Sequence, residues 1–399
     1  MSSAALGSRA LFPDLQPVLY LNHASLSPPA LPVRRAVSDT LDGYARLGMS
    51  WYREEVARRE RLRALGGRLL NAAPGDIGLI ANTSAGVLAI AHCLPWRRGD
   101  RILLLEGEFP TNVTPWQQAA RRHELEIVWM DADRFRRDRA AALEELEDHL
   151  RAGIRLVAAS AVQFTTGQRM PLEALGTLCQ RHGSELFVDA IQAAGVVPLD
   201  VAAMGIDYLA TGSHKWLMAP EGAGLLYVHP ERARHLEPNM AGWLSHEDAF
   251  AFLTEGPGEL RYDRPFQAGA GRMEAGTYAV ISQAGLEASL ELLLELGIPA
   301  ILKHVQAWQD RVEAGLEERG FRSARMSSAD GRSGILSLDP PESGSGPWWA
   351  EALAEYGITC AGPDGWLRLA PHWPNALDET PRLLESIDAI RDAAGNRPR

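Results

Sequence analysis

The 399-residue sequence predicts an α/β fold, with a mostly parallel sheet in a large domain followed by a smaller C-terminal α+β domain. Three observations lead to this prediction. Apolar runs of strand length alternate with helical patterns through the first two thirds of the chain. A Gly/Pro-rich stretch interrupts the alternation at residues 254–276. Two long helical patterns and several short strand patterns then follow, which is typical of a second domain.

The predicted strands of the large domain are short and apolar. They cover residues 101–106, 126–130, 154–162, 185–191, 208–212 and 224–228. Between them, apolar residues at three- and four-residue spacing predict helices over 114–123, 139–152 and 171–182. This alternation buries both faces of a parallel sheet, and ligands of such sheets bind at the carboxyl ends of the strands. Polar residues just after each strand are therefore the candidates for a functional site.

The C-terminal pattern differs from the first part of the chain. Amphipathic helices are predicted over 277–296 and 299–319, short strands over 334–338, 358–361 and 366–370, and a closing helix over 377–393. No repeat or low-complexity segment is present. Residues 31–270 and 271–399 are the predicted large and small domains, after an N-terminal segment of residues 1–30.

Composition and charge favour a small molecule, rather than a nucleic acid, as the partner of this protein. The formal net charge of −11 opposes nucleic-acid binding. Three scattered cysteines, Cys93, Cys179 and Cys360, give neither a disulfide framework nor a metal-ligand spacing, so no metal is predicted. The sequence has no membrane-length apolar run and no secretory pattern at its start, so we expect a cytoplasmic protein with no membrane partner.

Lysine is almost absent from the sequence, and its placement carries the strongest functional signal. Only Lys215 and Lys303 occur among 40 basic residues. The segment FVDAIQ (187–192) places Asp189 near the end of a predicted strand, and TGSHKW (211–216) places Lys215 after another. Pyridoxal phosphate (PLP) chemistry requires a lysine that holds the aldehyde as a Schiff base and moves the Cα proton, and a carboxylate that keeps the pyridine nitrogen protonated. Lys215 and Asp189 fit these catalytic roles.

Neighbouring polar residues complete this interpretation. Gln192 is placed to bond the phenolic oxygen of PLP, and Thr211, Ser213 and His214 are placed to donate to its phosphate. Each piece alone has an ordinary alternative, because aspartates often cap turns and a His-Lys pair is usually solvated. A Rossmann dehydrogenase is disfavoured, since no glycine-rich turn follows the strand at 101–106.

These motifs resemble the class V aminotransferases of the PLP fold-type I group. That family includes cysteine desulfurases, selenocysteine lyase, kynureninase and isopenicillin N epimerase-like enzymes. The resemblance runs from YLNHASLSP (20–28) to WLRLAPHW (366–373). It implies a mostly parallel seven-stranded sheet in the PLP-binding domain, with the N-terminal segment lining the active site.

The resemblance also assigns site residues. NTSAG (82–86) is similar to the phosphate-binding turn, with Thr83 and Ser84 as donors at a helix N-terminus. EGEFPTNVTPW (106–116) resembles the segment that carries the ring stacked on the cofactor, here Phe109. RMEAGT (272–277) resembles a family segment whose threonine reaches the partner subunit's phosphate site, which implies a homodimer and gives that role to Thr277.

Substrate contacts follow in the same way. Arg368 matches the arginine that binds the substrate α-carboxylate, a role suited to a planar bidentate donor. Asn22, His23 and Ala24 resemble the segment that lines the substrate pocket. The identity of the amino acid lies beyond the sequence.

Departures from the family pattern reduce the number of candidate reactions. Phe164 stands where desulfurases usually have an asparagine, and Gln163 is expected to replace that contact. Only seven residues separate Cys360 from Arg368, so a desulfurase cysteine loop is absent and Cys360 is interpreted as a buried structural thiol. We therefore predict an aminotransferase or Cα/Cβ lyase. The alternatives are a cysteine desulfurase or selenocysteine lyase, an amino-acid epimerase, and a PLP-binding regulator without turnover.

Overall fold

A computed structural model describes residues 4–342 and 344–395 of the chain. A seven-stranded sheet, formed by β2 to β8, lies at its centre. The strands of the described residues, in chain order, are β1 (Leu19–Tyr20), β2 (Ile77–Ile80), β3 (Arg101–Glu106), β4 (Glu126–Asp131), β5 (Leu156–Ser160), β6 (Glu185–Asp189), β7 (Tyr208–Gly212), β8 (Gly224–Val228), β9 (Arg322–Ser323), β10 (Leu336–Asp339), β11 (Ile358–Thr359) and β12 (Leu367–Leu369).

Helices cover both faces of this sheet and build most of the second domain. They are α1 (Leu31–Leu47), α2 (Tyr52–Leu70), α3 (Thr83–Cys93), α4 (Thr114–His123), α5 (Arg134–Arg137), α6 (Arg139–Arg151), α7 (Leu172–His182), α8 (Pro230–Ala233), α9 (Ala251–Thr254), α10 (Val280–Leu296), α11 (Ile298–Glu318), α12 (Gly346–Glu355) and α13 (Thr380–Gly395).

The large sheet has the strand order β2-β8-β7-β6-β5-β3-β4. Strands β3 to β7 pair in parallel with one another, whereas β8 runs antiparallel to both β7 and β2. The predicted α/β fold with a mostly parallel seven-stranded sheet is confirmed. Strand β2 was not among the predicted strands, because its four residues IGLI are too short to show a period.

Burial explains why the central strands read as continuous apolar runs. Every residue of β5, β6, β7 and β8 is buried. Strands covered on both faces have no solvent side and therefore no polar alternation. The predicted strands 154–162 and 185–191 were too long at their ends, since apolar residues continue past the last ladder pair into buried loops.

The second domain contains a three-stranded antiparallel sheet with the order β12-β10-β9. Strand β1 of the N-terminal segment pairs in parallel with β11, so the start of the chain joins this domain. Helices α11 and α13 pack together, and their apolar side chains share one core with Leu336, Leu338 and Leu367. The predicted strands at 334–338, 358–361 and 366–370 correspond to the shorter β10, β11 and β12.

Helix boundaries differ from the predictions by a few residues. Helix α10 begins at Val280 rather than at residue 277, because the preceding segment continues as an irregular loop. It packs closely against α1 and α2, which the sequence patterns had not assigned. The division of the chain at residue 270 stays a prediction. No helix in the described ranges is both long and apolar enough to cross a bilayer.

Candidate active site

A cavity of about 490 Å³ opens at the carboxyl ends of the central strands. It is lined by Ala24, Ser25, Asn82, Thr83, Ser84, Phe109, Thr111, Phe164, Asp189, Ile191, Gln192, His214, Lys215, Pro363 and Arg368. A second cavity, of about 600 Å³, lies at the opposite end of β7 beside Asp207 and Tyr227 and contains no lysine. The residues predicted to be catalytic therefore identify the first cavity as the candidate site. It lies at the end of the sheet where α/β proteins bind ligands.

Lys215 and Asp189 follow or end neighbouring strands and lie close enough for their charges to interact. Asp189 is the last residue of β6 and pairs in register with Ala210 of β7, and Lys215 follows β7 by three residues. Burial lowers the pKa of Lys215 to about 8, and the charge of Arg368 adds to this, while Asp189 opposes it. An amine with this pKa is partly neutral near neutral pH, so it can accept a proton.

The carboxylate of Asp189 lies wholly inside the protein. Burial raises its pKa to about 6, although a hydrogen bond from the Ile191 backbone N–H and the charge of Lys215 both favour the ionised form. Its Oδ1 accepts the Ile191 N–H at 2.9 Å. A buried carboxylate of this kind is stabilised by a cationic partner in the cavity.

Polar groups converge at the N-terminus of α3. Asn82 caps this helix, since its Oδ1 accepts the Ala85 N–H at 2.9 Å. The hydroxyl of Thr83 is buried and has no hydrogen-bond partner among the described residues. A Cβ added to Gly212 would lie 3.3 Å from that hydroxyl and 3.5 Å from His214 Nδ1, so both side chains meet beside this glycine. Helix N-termini with unpaired donors bind anions.

Arg368 lies on β12 with its guanidinium directed to the cavity. Its Nη1 donates to the Phe164 carbonyl at 2.9 Å and its Nη2 donates to Ser25 Oγ at 2.7 Å, while the buried Nε has no partner among the described residues. Burial lowers its pKa to about 10. A buried arginine whose contacts are all to neutral groups leaves its charge available to an anionic ligand.

Gln192 has both ends of its amide engaged. Its Oε1 accepts the Trp216 indole N–H at 2.8 Å, and its Nε2 donates to the Ala24 carbonyl at 3.0 Å. One N–H of the Nε2 amide can still donate into the cavity that Gln192 lines. The amide also fixes Ala24 of the N-terminal segment against the loop that carries Lys215.

Residues 39–363 match the family model of the class-V aminotransferases. The chain belongs to this family. An uncharacterized aminotransferase of Bacillus subtilis, YcbU, is 28% identical to this class-V chain over 384 residues, which are 96% of each protein. A probable cysteine desulfurase of Pyrococcus abyssi is 26% identical over 95% of each protein.

A solved structure extends the comparison to the fold. It is a lysine-to-alanine mutant of C-DES with glycine covalently linked to the PLP cofactor. This structure superposes on the class-V chain with a TM-score of 0.83 and 25% identity, and the match covers 95% of this chain and 98% of that one. The arrangement of strands and helices is therefore shared across nearly the whole length.

Several predicted site residues do not line the cavity of this class-V protein. Thr211 Oγ1 donates to the Gly212 carbonyl and Ser213 Oγ donates to the Pro220 carbonyl, so both hydroxyls are used by the backbone. Gln163 Nε2 donates to Glu108 Oε1 at 3.1 Å. Asn22 and His23 lie just before the lining residue Ala24. Their predicted contacts with a ligand stay predictions.

Asn22, His23 and Thr277 take different positions around this edge of the sheet. Asn22 forms a parallel bridge with Ala370, and the buried His23 bonds Ser27 Oγ through Nδ1 at 2.7 Å. Thr277 is exposed on the loop that precedes α10, away from the cavity lining of its own chain.

The sequence reasoning missed Glu108, which lies just outside the cavity. Its Oε1 accepts from the Ser160 backbone N–H at 2.7 Å and from Gln163, and its Oε2 accepts from the Ser160 hydroxyl. Burial raises the pKa of Glu108 to about 7, and the neighbouring Asp189 adds to this shift. Two residues after a strand end is the signal that could have identified it.

Proposed function

We propose that this class-V protein is a PLP-dependent enzyme that acts on an α-amino acid as an aminotransferase or Cα/Cβ lyase. One observation carries the proposal: Lys215, Asp189 and the Arg368 guanidinium line the same cavity. An amine that can lose its proton, a buried carboxylate and a cation available to an anion are the three groups that PLP chemistry on an amino acid requires.

The residues of the cavity fit PLP. The unpartnered hydroxyl of Thr83, the N-terminus of α3, Ser84 and His214 would hold the phosphate. Asp189 would hold the pyridine nitrogen, and the free N–H of Gln192 would donate to the phenolic oxygen. Phe109, which is 42% exposed and lines the cavity, would supply the stacking ring.

When bound, PLP supplies an electron sink for bond cleavage at the substrate Cα. Asp189 would keep a proton on the pyridine nitrogen through its negative charge. Arg368 would orient the substrate by pairing with its α-carboxylate. Lys215 would hold the cofactor at rest and move the proton at Cα, a task for which its lowered pKa of about 8 is suited.

Other reactions of this family need groups that the cavity lacks among the described residues. Epimerisation by two bases needs a second proton carrier besides Lys215, and Phe109, whose ring centre lies 5.5 Å from Lys215 Nζ, cannot carry a proton. Cysteine desulfurase activity is the second candidate because of the Pyrococcus relative. It needs a reactive thiol, but Cys360, which is half-buried rather than buried as predicted, does not line the cavity. Loss of hydration around its thiol raises its pKa to about 12.

The proposal includes a homodimer located in the cytoplasm. Thr277 is exposed, and the Arg59 guanidinium lies 3.4 Å over the ring of the next residue, Tyr278, which holds the loop that presents Thr277. This placement suits a contact with the partner's phosphate site. All three cysteines are free thiols, as expected in a reducing compartment.

The test uses the two lysines of the chain. Holoenzyme treated with borohydride and digested is expected to carry the cofactor on the peptide that contains Lys215. Lys303→Ala, the matched control, should leave the label unchanged, whereas Lys215→Ala should abolish it and all turnover. Label on Lys303, or turnover by Lys215→Ala, would contradict the proposal. With L-amino acids alone, conversion of the cofactor to pyridoxamine phosphate would then identify an aminotransferase, and unchanged PLP with released ammonia a lyase.

A further inference from the structure

Two phenylalanine rings connect the groups that would hold the two ends of an amino acid. Lys215 Nζ lies 5.5 Å from the centre of the Phe109 ring. The Phe109 and Phe164 rings meet edge to face, with centres 5.3 Å apart. The Phe164 carbonyl in turn accepts the Arg368 Nη1 at 2.9 Å. The two rings therefore form an aromatic wall that begins beside the amine, and the backbone of Phe164 joins this wall to the guanidinium of Arg368.

Every titratable side chain that lines the cavity already has a role in the proposed function. Its titratable lining residues are Asp189, His214, Lys215 and Arg368. Under the proposed function, Asp189 pairs with the pyridine nitrogen, His214 lies at the phosphate end beside Thr83, and Lys215 and Arg368 serve the amino and carboxylate groups of the substrate. The rest of the lining that is described for this chain is neutral, so the chain itself leaves no charge for a substrate side chain.

We propose that the substrate is an α-amino acid with an uncharged, largely apolar side chain, and that Phe164 selects it. This inference rests on the proposed function. With its α-carboxylate on Arg368 and its Cα near Lys215, the substrate lies along the aromatic wall, and its side chain contacts Phe164. A second carboxylate placed there would lose its hydration without gaining a cation. A thioether or alkyl group would gain apolar contact with the ring.

The experiment compares side chains of similar size. On the holoenzyme, kcat/KM is measured with L-methionine, L-glutamine and L-glutamate, monitored by the cofactor spectrum. We expect L-glutamate to be slower than L-methionine by about 100-fold or more, since burying an unpaired charge against apolar rings is strongly unfavourable. Equal values for L-glutamate and L-methionine would overturn this inference alone. A spectrum that responds to no amino acid would overturn the proposed function and this inference with it.

Binding without turnover gives an independent readout. α-Methyl-methionine and α-methyl-glutamate lack a Cα proton, so calorimetry can measure their Kd on the holoenzyme. The first should bind more tightly by about 100-fold, in line with the loss expected for a desolvated carboxylate. Equal affinity for the two analogues would contradict the inference.

Substitution of Phe164 tests the selecting residue. Phe164→Arg places a cation in the wall and should shift the ratio of kcat/KM toward L-glutamate, while Phe164→Leu, the matched control, should keep the preference for L-methionine. Phe164→Ala covers the case in which the arginine variant does not fold. It should lower the preference for L-methionine over L-alanine by about 10-fold through lost contact. Unchanged ratios in the folded Phe164→Arg or Phe164→Ala protein would overturn the role of Phe164.

Discussion

At the scale of single residues, the site depends on charged side chains that are buried away from water. Glu108 is a buried carboxyl group of this kind, although it does not line the cavity. Its carboxylate receives three hydrogen bonds and lies close enough to Asp189 to be affected by its charge. These contacts fix Ser160 and Gln163 at the carboxyl ends of the central strands. Glu108 is therefore a positioning residue behind the predicted PLP-binding carboxylate.

Glu108→Gln should reduce the loss of stability at high pH. The pKa of Glu108 in the folded protein, about 7, lies above its usual value, so the folded protein keeps a proton that the unfolded chain releases. This contribution to stability is fully present below about pH 4.5, the ordinary pKa, and is lost as the pH rises through about 7. Melting temperatures of the wild type and the variant, compared at pH 5.5 and pH 8, measure the difference.

The exposed Glu295 provides the control. Glu295→Gln should show the same pH dependence as the wild type. If Glu108→Gln loses as much stability between the two pH values as the wild type does, Glu108 does not hold the proton that its burial indicates.

At the scale of elements, the phosphate-binding end of the cavity depends on how closely α3 approaches the sheet. Gly86 lies on the buried side of α3, where an added Cβ would be 2.6 Å from Ala210 Cβ and 2.9 Å from Ile80 Cδ1. No side chain larger than hydrogen fits between the helix and these strands. The glycine therefore sets the position of Thr83 and Ser84 at the start of the helix.

Gly86→Ala should destabilise the protein and weaken its hold on PLP. A methyl group on a helix stabilises by up to about 1 kcal/mol relative to glycine. Overpacking against the rigid strands costs about 1–3 kcal/mol, so the clash outweighs this gain. Thermal unfolding and the Kd for PLP report the two effects. Gly75→Ala, where nothing lies within 4 Å of the added Cβ, should leave both unchanged. A Gly86→Ala protein with wild-type stability and PLP affinity would contradict the close-approach argument.

At the scale of the whole molecule, distant parts of the chain meet at the cavity. Ser25 and Arg368, 343 residues apart in sequence, share a hydrogen bond, and the Ser27 N–H donates to the His214 carbonyl. Strand β1 is held by β11 of the small domain. The N-terminal segment therefore contacts both the loop that carries Lys215 and strands β11 and β12, and the prediction that residues 1–30 line an active site stays a prediction.

The proposed homodimer agrees with the exposed apolar side chains that residues 240–262 carry. They are Met240, Trp243, Phe252, Leu253, Leu260 and Tyr262. Apolar patches of this kind mark sites of protein association. Sedimentation equilibrium should give a mass of about twice 43.6 kDa.

Substitutions separate this surface from others. Replacing Leu253 and Tyr262 by aspartate should shift the protein toward the monomer and lower its retention of PLP, because Thr277 would no longer reach a partner. Trp348→Asp, an exposed aromatic of α12, is the control and should remain a dimer. A wild-type mass of 43.6 kDa at all concentrations would exclude the homodimer.

The amino-acid sequence by itself determined the fold class and the chemical candidates. Buried parallel strands leave long apolar runs, and a chain with two lysines makes the placement of Lys215 after one strand and Asp189 at the end of another stand out. The ends of the strands were predicted less accurately, since apolar residues continue into buried loops, and β2 was not predicted because its four residues show no period.

Only the tertiary structure decided which polar groups are free. Thr211 and Ser213 have the same hydroxyl chemistry as Thr83, but their hydrogen bonds go to backbone carbonyls while Thr83 is left without a partner. Glu108 reaches the site and Phe164 joins the aromatic wall because strands and loops distant in sequence meet at one edge of the sheet. Such contacts depend on distances between elements, which local sequence patterns do not encode.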